Sequence, residues 1–395
     1  MKKRTASVAA LAAATALVLS GCAGGGGDGG GESAPIKLGS VNTLSGPVAF
    51  PEASDAAQAV FERVNAEGGI NGRMIEYKVT DDKGNPQEAT SAARELVGND
   101  EVVALVGSAS FLDCEINGDY YEQEDVRSIQ GIGIDPRCFD SPNIAPTNIG
   151  PFNDMTLTLL YGSEELGLKN FCVLTNTVGS TGPSYQAAVD RWSEITGIEP
   201  ILVDPALPLG AADYSPYVVK AEKAGCEVFV SNAGEADTIG ILKAANQQGW
   251  DDATFLLLTS VYSNNLAEAV DNAAAGIYLP AEFYPFTEDS EANAEWKQLM
   301  EENDLTLTSF GQGGYLAATF MVEVLKSIEG DITRESVNEA LANMEPIENP
   351  MISHSYQFDR IAAQDYEPGA WPVTLKSGTN RWEKAADDWV RIPAA

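Results

Sequence analysis

Two successive runs of short apolar strands alternating with helical stretches constrain this chain more than anything else in its 395 residues. In the first run, 36–42 reads as a strand, and Ala56, Ala57, Val60, Phe61 and Val64 recur at helical spacing until Gly68-Gly69 stops them. A second strand is expected at 74–80, where Ile75, Tyr77 and Val79 alternate. Asn85-Pro86-Gln87-Glu88 then supplies a cap, a Pro at the first helical position and a Glu three residues after the cap. The segment 102–107 is continuously apolar, as a strand covered on both faces should be, and weaker strands are expected at 128–132 and 143–149. The pattern restarts with strands at 170–175, 199–203, 227–231, 254–258 and 276–279, separated by helical stretches that include 183–195 and 236–248. Two such runs predict an α/β protein of two parallel-sheet lobes. After Pro285 the chain turns helical, with Leu316, Phe320 and Val324 in one stripe, and these late helices are expected to pack back on the first lobe. Ligands of open parallel sheets bind beyond the carboxyl ends of the strands, so the loops to watch are 42–50, 107–114, 131–137, 176–183, 232–237 and 259–263.

The amino-terminal residues point to a compartment. Met1-Lys2-Lys3-Arg4 is cationic, and the apolar stretch 6–19 is too short to span a bilayer comfortably, the proportions of an export signal. It ends in Leu19-Ser20-Gly21-Cys22, which looks like a bacterial lipobox. The expectation is a signal peptide at 1–21, lipidation of Cys22 and, over 22–35, a glycine-rich tether that cannot pack. Acyl chains on Cys22 would hold the protein stably on a membrane surface. The remaining cysteines, Cys114, Cys138, Cys172 and Cys226, form an even set outside the cytoplasm and suggest bridges. Pairing within each lobe is expected, Cys114 with Cys138 and Cys172 with Cys226, the second pair being open to a reading as buried thiols.

Composition removes several function classes. With 58 Asp and Glu against 24 Lys and Arg, the formal charge of −34 makes nucleic acid a poor partner. A single histidine, His354, argues against His-rich metal sites and a Ser-His-Asp apparatus. Neither a glycine-rich dinucleotide fingerprint nor a P-loop is present, and Gly179-Ser180-Thr181-Gly182 is not a nucleophile elbow. No enzyme, cofactor or metal is expected.

Several stretches resemble a known family. Ser45-Gly46-Pro47, then Glu67-Gly68-Gly69-Ile70-Asn71-Gly72-Arg73, Asp81-Asp82-Lys83-Gly84-Asn85-Pro86 and Ala92-Ala93-Arg94-Glu95-Leu96-Val97 follow in the order and spacing of the solute-binding lipoproteins of branched-chain amino acid ABC transporters. The resemblance implies the type I periplasmic-binding-protein fold, two Rossmann-like parallel-sheet lobes joined by a three-stranded hinge. Lobe 1 would comprise 36–151 plus 283–349, and lobe 2 would comprise 152–282 plus 350–395. It also implies a monomer that closes on a small solute at the outer face of the cell membrane and delivers it to ABC permease subunits with cytoplasmic ATPases.

Carried over residue by residue, the ligand carboxylate would meet Ser108, Ala109, Ser110 and Phe111 after one strand, and Gly133 and Asp135 after another. The second lobe departs from the family pattern. Ser260-Val261-Tyr262 stands where an acidic partner for the ligand ammonium is expected, and Gly179, Ser180, Thr181 and Gly182 replace an aromatic. Glu235 or Asp237 is then the candidate counter-charge, with Phe50, Tyr262, Phe283 and Tyr284 as apolar walls and Arg137 the main positive charge in these loops. A hydrophobic or branched-chain amino acid is the leading expectation. An amide, a small carboxylate or a sensor role in signalling are the alternatives.

Overall fold

The computed structural model describes residues 34–46, 49–270, 276–358, 367–376 and 378–393. The expected signal peptide, Cys22 and nearly all of the tether lie outside them. The first sheet has the order β2-β1-β3-β4, all parallel, from β1 (Ile36–Asn42), β2 (Ile75–Asp81), β3 (Ala104–Val106) and β4 (Ser128–Ile129). Ile36 pairs with Ile75 and Asn42 with Asp81, so β1 and β2 end level. Both faces of the sheet are buried. Ile36, Leu38, Ala104 and Val106 enter the core on one side, whereas Val41 and Leu105 enter a second core with Leu96, Cys114, Tyr121 and Cys138. Two-sided burial is the reason 102–107 carries no polar alternation. Asn85 caps helix Pro86–Arg94 as its residue type requires, its Oδ1 accepting from the Gln87 and Glu88 amides at 2.9 and 3.3 Å.

The second sheet runs β11-β10-β9-β8-β7-β5-β6. Its strands are β5 (Phe171–Leu174), β6 (Leu202–Asp204), β7 (Val228–Ser231), β8 (Thr254–Leu256), β9 (Gly276–Ala281), β10 (Gly369–Lys376) and β11 (Arg381–Lys384), with β12 (Val390–Arg391) paired to β10. Strands β5 to β9 are parallel. The antiparallel extension β10–β12 is an addition to the two expected parallel runs. The expected strand at 143–149 is not formed, because the segment touches β4 through a single bridge, Ser128 to Ile144.

Helix Ser309–Ser327 packs along helix Pro51–Ala66, the return of the late helices expected from their stripe. The crossing is close because Gly314 lies directly on the backbone of Ala53. Cys114 is bonded to Cys138 and Cys172 to Cys226, with Cα separations of 5.1 and 5.8 Å. Among the described residues no helix is long and apolar enough to cross a membrane.

Candidate functional site

A cavity of about 740 Å³ opens where the loops beyond the carboxyl ends of both parallel sheets come together, a size suited to a small organic ligand. Thr43 follows β1, Phe111 and Leu112 follow β3, and Ile132, Gly133 and Ile134 follow β4. From the second sheet come Asn176 and Thr181 after β5, Asn232 and Glu235 after β7, Thr259, Ser260 and Tyr262 after β8, and Glu282 after β9. The starts of helices Pro51–Ala66 and Ser309–Ser327 add Phe50, Glu52, Asp55, Ser309 and Phe310.

Of the residues expected from sequence, Phe50, Phe111, Gly133, Thr181, Glu235, Asp237 and Tyr262 line this cavity. The others are placed elsewhere, each with a physical reason. Ser108 is buried beneath the loop, where its hydroxyl is 3.3 Å from both the Ser40 hydroxyl and the Val41 amide. Ala109 turns its amide inward to Asn42 Oδ1 at 2.8 Å. Ser110 acts as a local cap: its hydroxyl donates to the Asp82 carboxylate and accepts from the Leu112 and Asp113 amides at 3.0 and 2.9 Å. Asp135 accepts from the Arg137 and Glu115 amides at 2.8 and 3.2 Å, and burial pushes its carboxyl up to about 7. Ser180 precedes helix Thr181–Thr196 without lining the cavity, and Phe283 is fully buried in the core. Arg137 is engaged by Asp119 and Glu122 at 2.7 and 2.6 Å, away from the cavity. Asp237 lines the wall, but its two oxygens lie 3.0 and 3.2 Å from the Gly210 amide. Glu235 is the freer of the two candidates. Among the described residues it accepts only the Ser263 hydroxyl, and it is half-buried.

The site also holds groups that sequence reasoning passed over. Thr43 Oγ1, Asp154 Oδ1 and Asn176 Nδ2 are buried with no hydrogen-bond partner among the described residues, and all three residues line the cavity. The other oxygen of Asp154 accepts from the Thr259 amide at 2.8 Å. Burial and then the nearby Glu282 hold the Asp154 carboxyl well above the usual carboxylate range. Glu282 in turn accepts from Asn148 Nδ2 at 3.0 Å and the Gly150 amide at 2.8 Å, joining two segments that pass between the sheets. Seven carboxylates line the cavity, those of Glu52, Asp55, Asp154, Glu235, Asp237, Glu282 and Asp304, against no lysine, arginine or histidine among the described residues. Phe50 completes an aromatic wall, its ring 4.9 Å from those of Phe111 and Phe310. The one cluster with metal-ligand geometry among the described residues, Cys114, Asp135 and Cys138, has both sulfurs committed to a disulfide.

Known proteins share this design. The leucine-, isoleucine-, valine-, threonine- and alanine-binding protein of Pseudomonas aeruginosa is 25% identical over 326 residues, 78% of this chain and 82% of its own. A Leu/Ile/Val-binding protein homologue of Brucella abortus is 22% identical, covering 83% of this chain and 86% of its own. Among solved structures, the branched-chain amino acid transporter substrate-binding protein LivJ of Streptococcus pneumoniae, crystallised with isoleucine, aligns with a TM-score of 0.75 at 16% identity. The alignment spans 91% of this chain and all of that one. A fatty acid ABC transporter substrate-binding protein from Thermomonospora curvata aligns at 0.73 and 22% identity, over 89% and 91% of the two chains. These likenesses show the type I periplasmic-binding-protein fold expected from the paired strand-helix runs. A family model described as periplasmic binding protein matches residues 35–371, and the chain belongs to that family of solute-binding proteins.

Proposed function

We propose that this protein is an extracytoplasmic receptor that closes on a small solute carrying an ammonium group and delivers it to the permease of an ABC transporter. In the leading version the solute is a hydrophobic or branched-chain amino acid, as the names of the relatives from Pseudomonas aeruginosa and Brucella abortus suggest. The observation that carries the reading is the cavity itself. It gathers the carboxyl-end loops of two separate parallel sheets, so a solute held there touches both and favours their approach. Glu235 supplies the counter-charge for the ammonium, and Phe50, Phe111 and Phe310 take the apolar part. A neutral amide is the second reading, supported by the unpartnered Asn176 Nδ2, which can donate to an amide oxygen.

The moving parts in this account are the lobes 36–151 plus 283–349 and 152–282 plus 350–395, hinged where Glu282 bonds Asn148 and Gly150. The body is a monomer carried on the membrane by lipid on Cys22, with the glycine-rich tether as its leash. Calorimetry against a panel of amino acids and amides tests the solute, and small-angle scattering tests the closure. Binding with a fall in radius of gyration is expected. An unchanged scattering profile at saturating solute would refute the hinge.

A further inference from the structure

The cavity carries acids on two opposed walls. Glu52 and Asp55 stand on helix Pro51–Ala66, beside the first sheet, and Glu235 opens helix Glu235–Gln248, beside the second. Carboxylates at helix starts have an ordinary structural explanation, since the helix field stabilises them there. Asp237 has a further structural role, both its oxygens meeting the Gly210 amide. At Glu52 burial is the larger effect and raises the carboxyl, a bond from its own backbone amide only partly offsets this, and the charges of Asp55 and of Glu235 raise it further. The walls therefore repel each other across the space a solute must fill.

Two further observations bear on the missing charge. The rings of Phe50, Phe111 and Phe310 form a wall next to Glu52, and aromatic faces together with carboxylates are what an alkylammonium group seeks. Asp154, fully buried and lining the cavity, presents Oδ1 with no hydrogen-bond partner among the described residues, an unsatisfied polar atom on the lining. A solute carboxylate would find no cation anywhere on the lining of the described residues, and an unpaired buried charge is costly.

We infer that the cavity selects a solute of net positive charge, an alkylamine or an amino-amide in place of a zwitterion or a carboxylate. The inference rests on the receptor reading above and its ammonium-bearing solute, and replaces the amino-acid version of that solute. A cation that reaches both Glu52 and Glu235 removes the repulsion between the walls, so charge recognition and closure become one event.

Three compounds with one isobutyl side chain test this by calorimetry on the purified protein: 3-methylbutylamine (leucine without its carboxylate, a cation), leucine (zwitterion) and 4-methylpentanoate (leucine without its amine, an anion). The amine should bind at least tenfold more tightly than leucine, and the anion most weakly. Glu52→Gln should weaken the amine tenfold or more while leaving 4-methylpentanoate unchanged or improved. Asp55→Asn, at an exposed position, should act in the same direction and guards against a folding defect in the first variant. If leucine or the anion bound most tightly, the receptor reading would stand and the charge assignment would fall. If none of the three bound, both would fall.

Discussion

Gly314→Ala should separate two helices that the fold needs in backbone contact. A Cβ at Gly314 would lie 1.8 Å from the carbonyl oxygen of Ala53, 2.5 Å from its carbonyl carbon and 2.6 Å from its Cα. All three atoms are backbone, so no side-chain rotation relieves the overlap, and the helices must part by roughly 1 Å. A gap of that size forfeits about a quarter to a half of the dispersion energy across the crossing. Overpacking of a core costs about 1–3 kcal/mol, and alanine returns about 1 kcal/mol of helix propensity. Because the overlap is against backbone, the upper end applies, and a net loss of about 2 kcal/mol or more is expected. Urea unfolding followed by circular dichroism measures it directly. The same displacement would pull Phe310 from Phe50 at the cavity rim, so solute affinity should fall with stability. A variant within about 0.5 kcal/mol of the parent, the range of an ordinary surface substitution, would refute the close crossing.

Stability should also depend on pH through buried acids. Asp135, raised by burial from 3.8 to about 7, contributes stability that is complete below 3.8 and lost as the pH rises towards 7. Urea midpoints should therefore decline from pH 4 to 7, less steeply in Asp135→Asn, and an identical slope in the variant would contradict the assignment. Non-reducing peptide mapping should join Cys114 to Cys138 and Cys172 to Cys226. Replacing the first pair by serine should cost about 3 kcal/mol in the chain-entropy model, and a Cys114–Cys172 peptide would overturn the pairing. Cys22→Ala should release the protein from the membrane fraction or leave it unprocessed, and normal lipid labelling of that variant would dismiss the anchor.

The parts of the fold readable from sequence were those whose cause is local. Asn85 announces its helix because a cap needs only the next three residues, and 102–107 announces a covered strand by its unbroken apolar run. Strand β10 was invisible for the opposite reason. It contains Pro372, and its register sets Pro372 against Pro280 of β9, so local preference argues against a ladder that tertiary pairing nevertheless forms. At the site, the position of the loops followed from the rule about strand ends, but the direction of individual hydroxyls did not. Ser108 and Ser110 face inward because Ser40, on β1, and Asp82, just after β2, claim them. Glu52 lies two residues beyond a loop already marked as important, and its opposition to Glu235 exists only once the two sheets are brought together.

The late strand and the late helix also set a timetable for synthesis. Strand β9 has an open edge until residues 369–376 exist to pair with it, and helix Pro51–Ala66 has an uncovered face until residues 309–327 arrive. Neither sheet can complete its packing while the carboxyl-terminal fifth of the chain is still inside the ribosome. A nascent chain of this design stays incompletely folded until residue 376 has emerged, and a truncation before residue 309 injures both halves of the molecule at once.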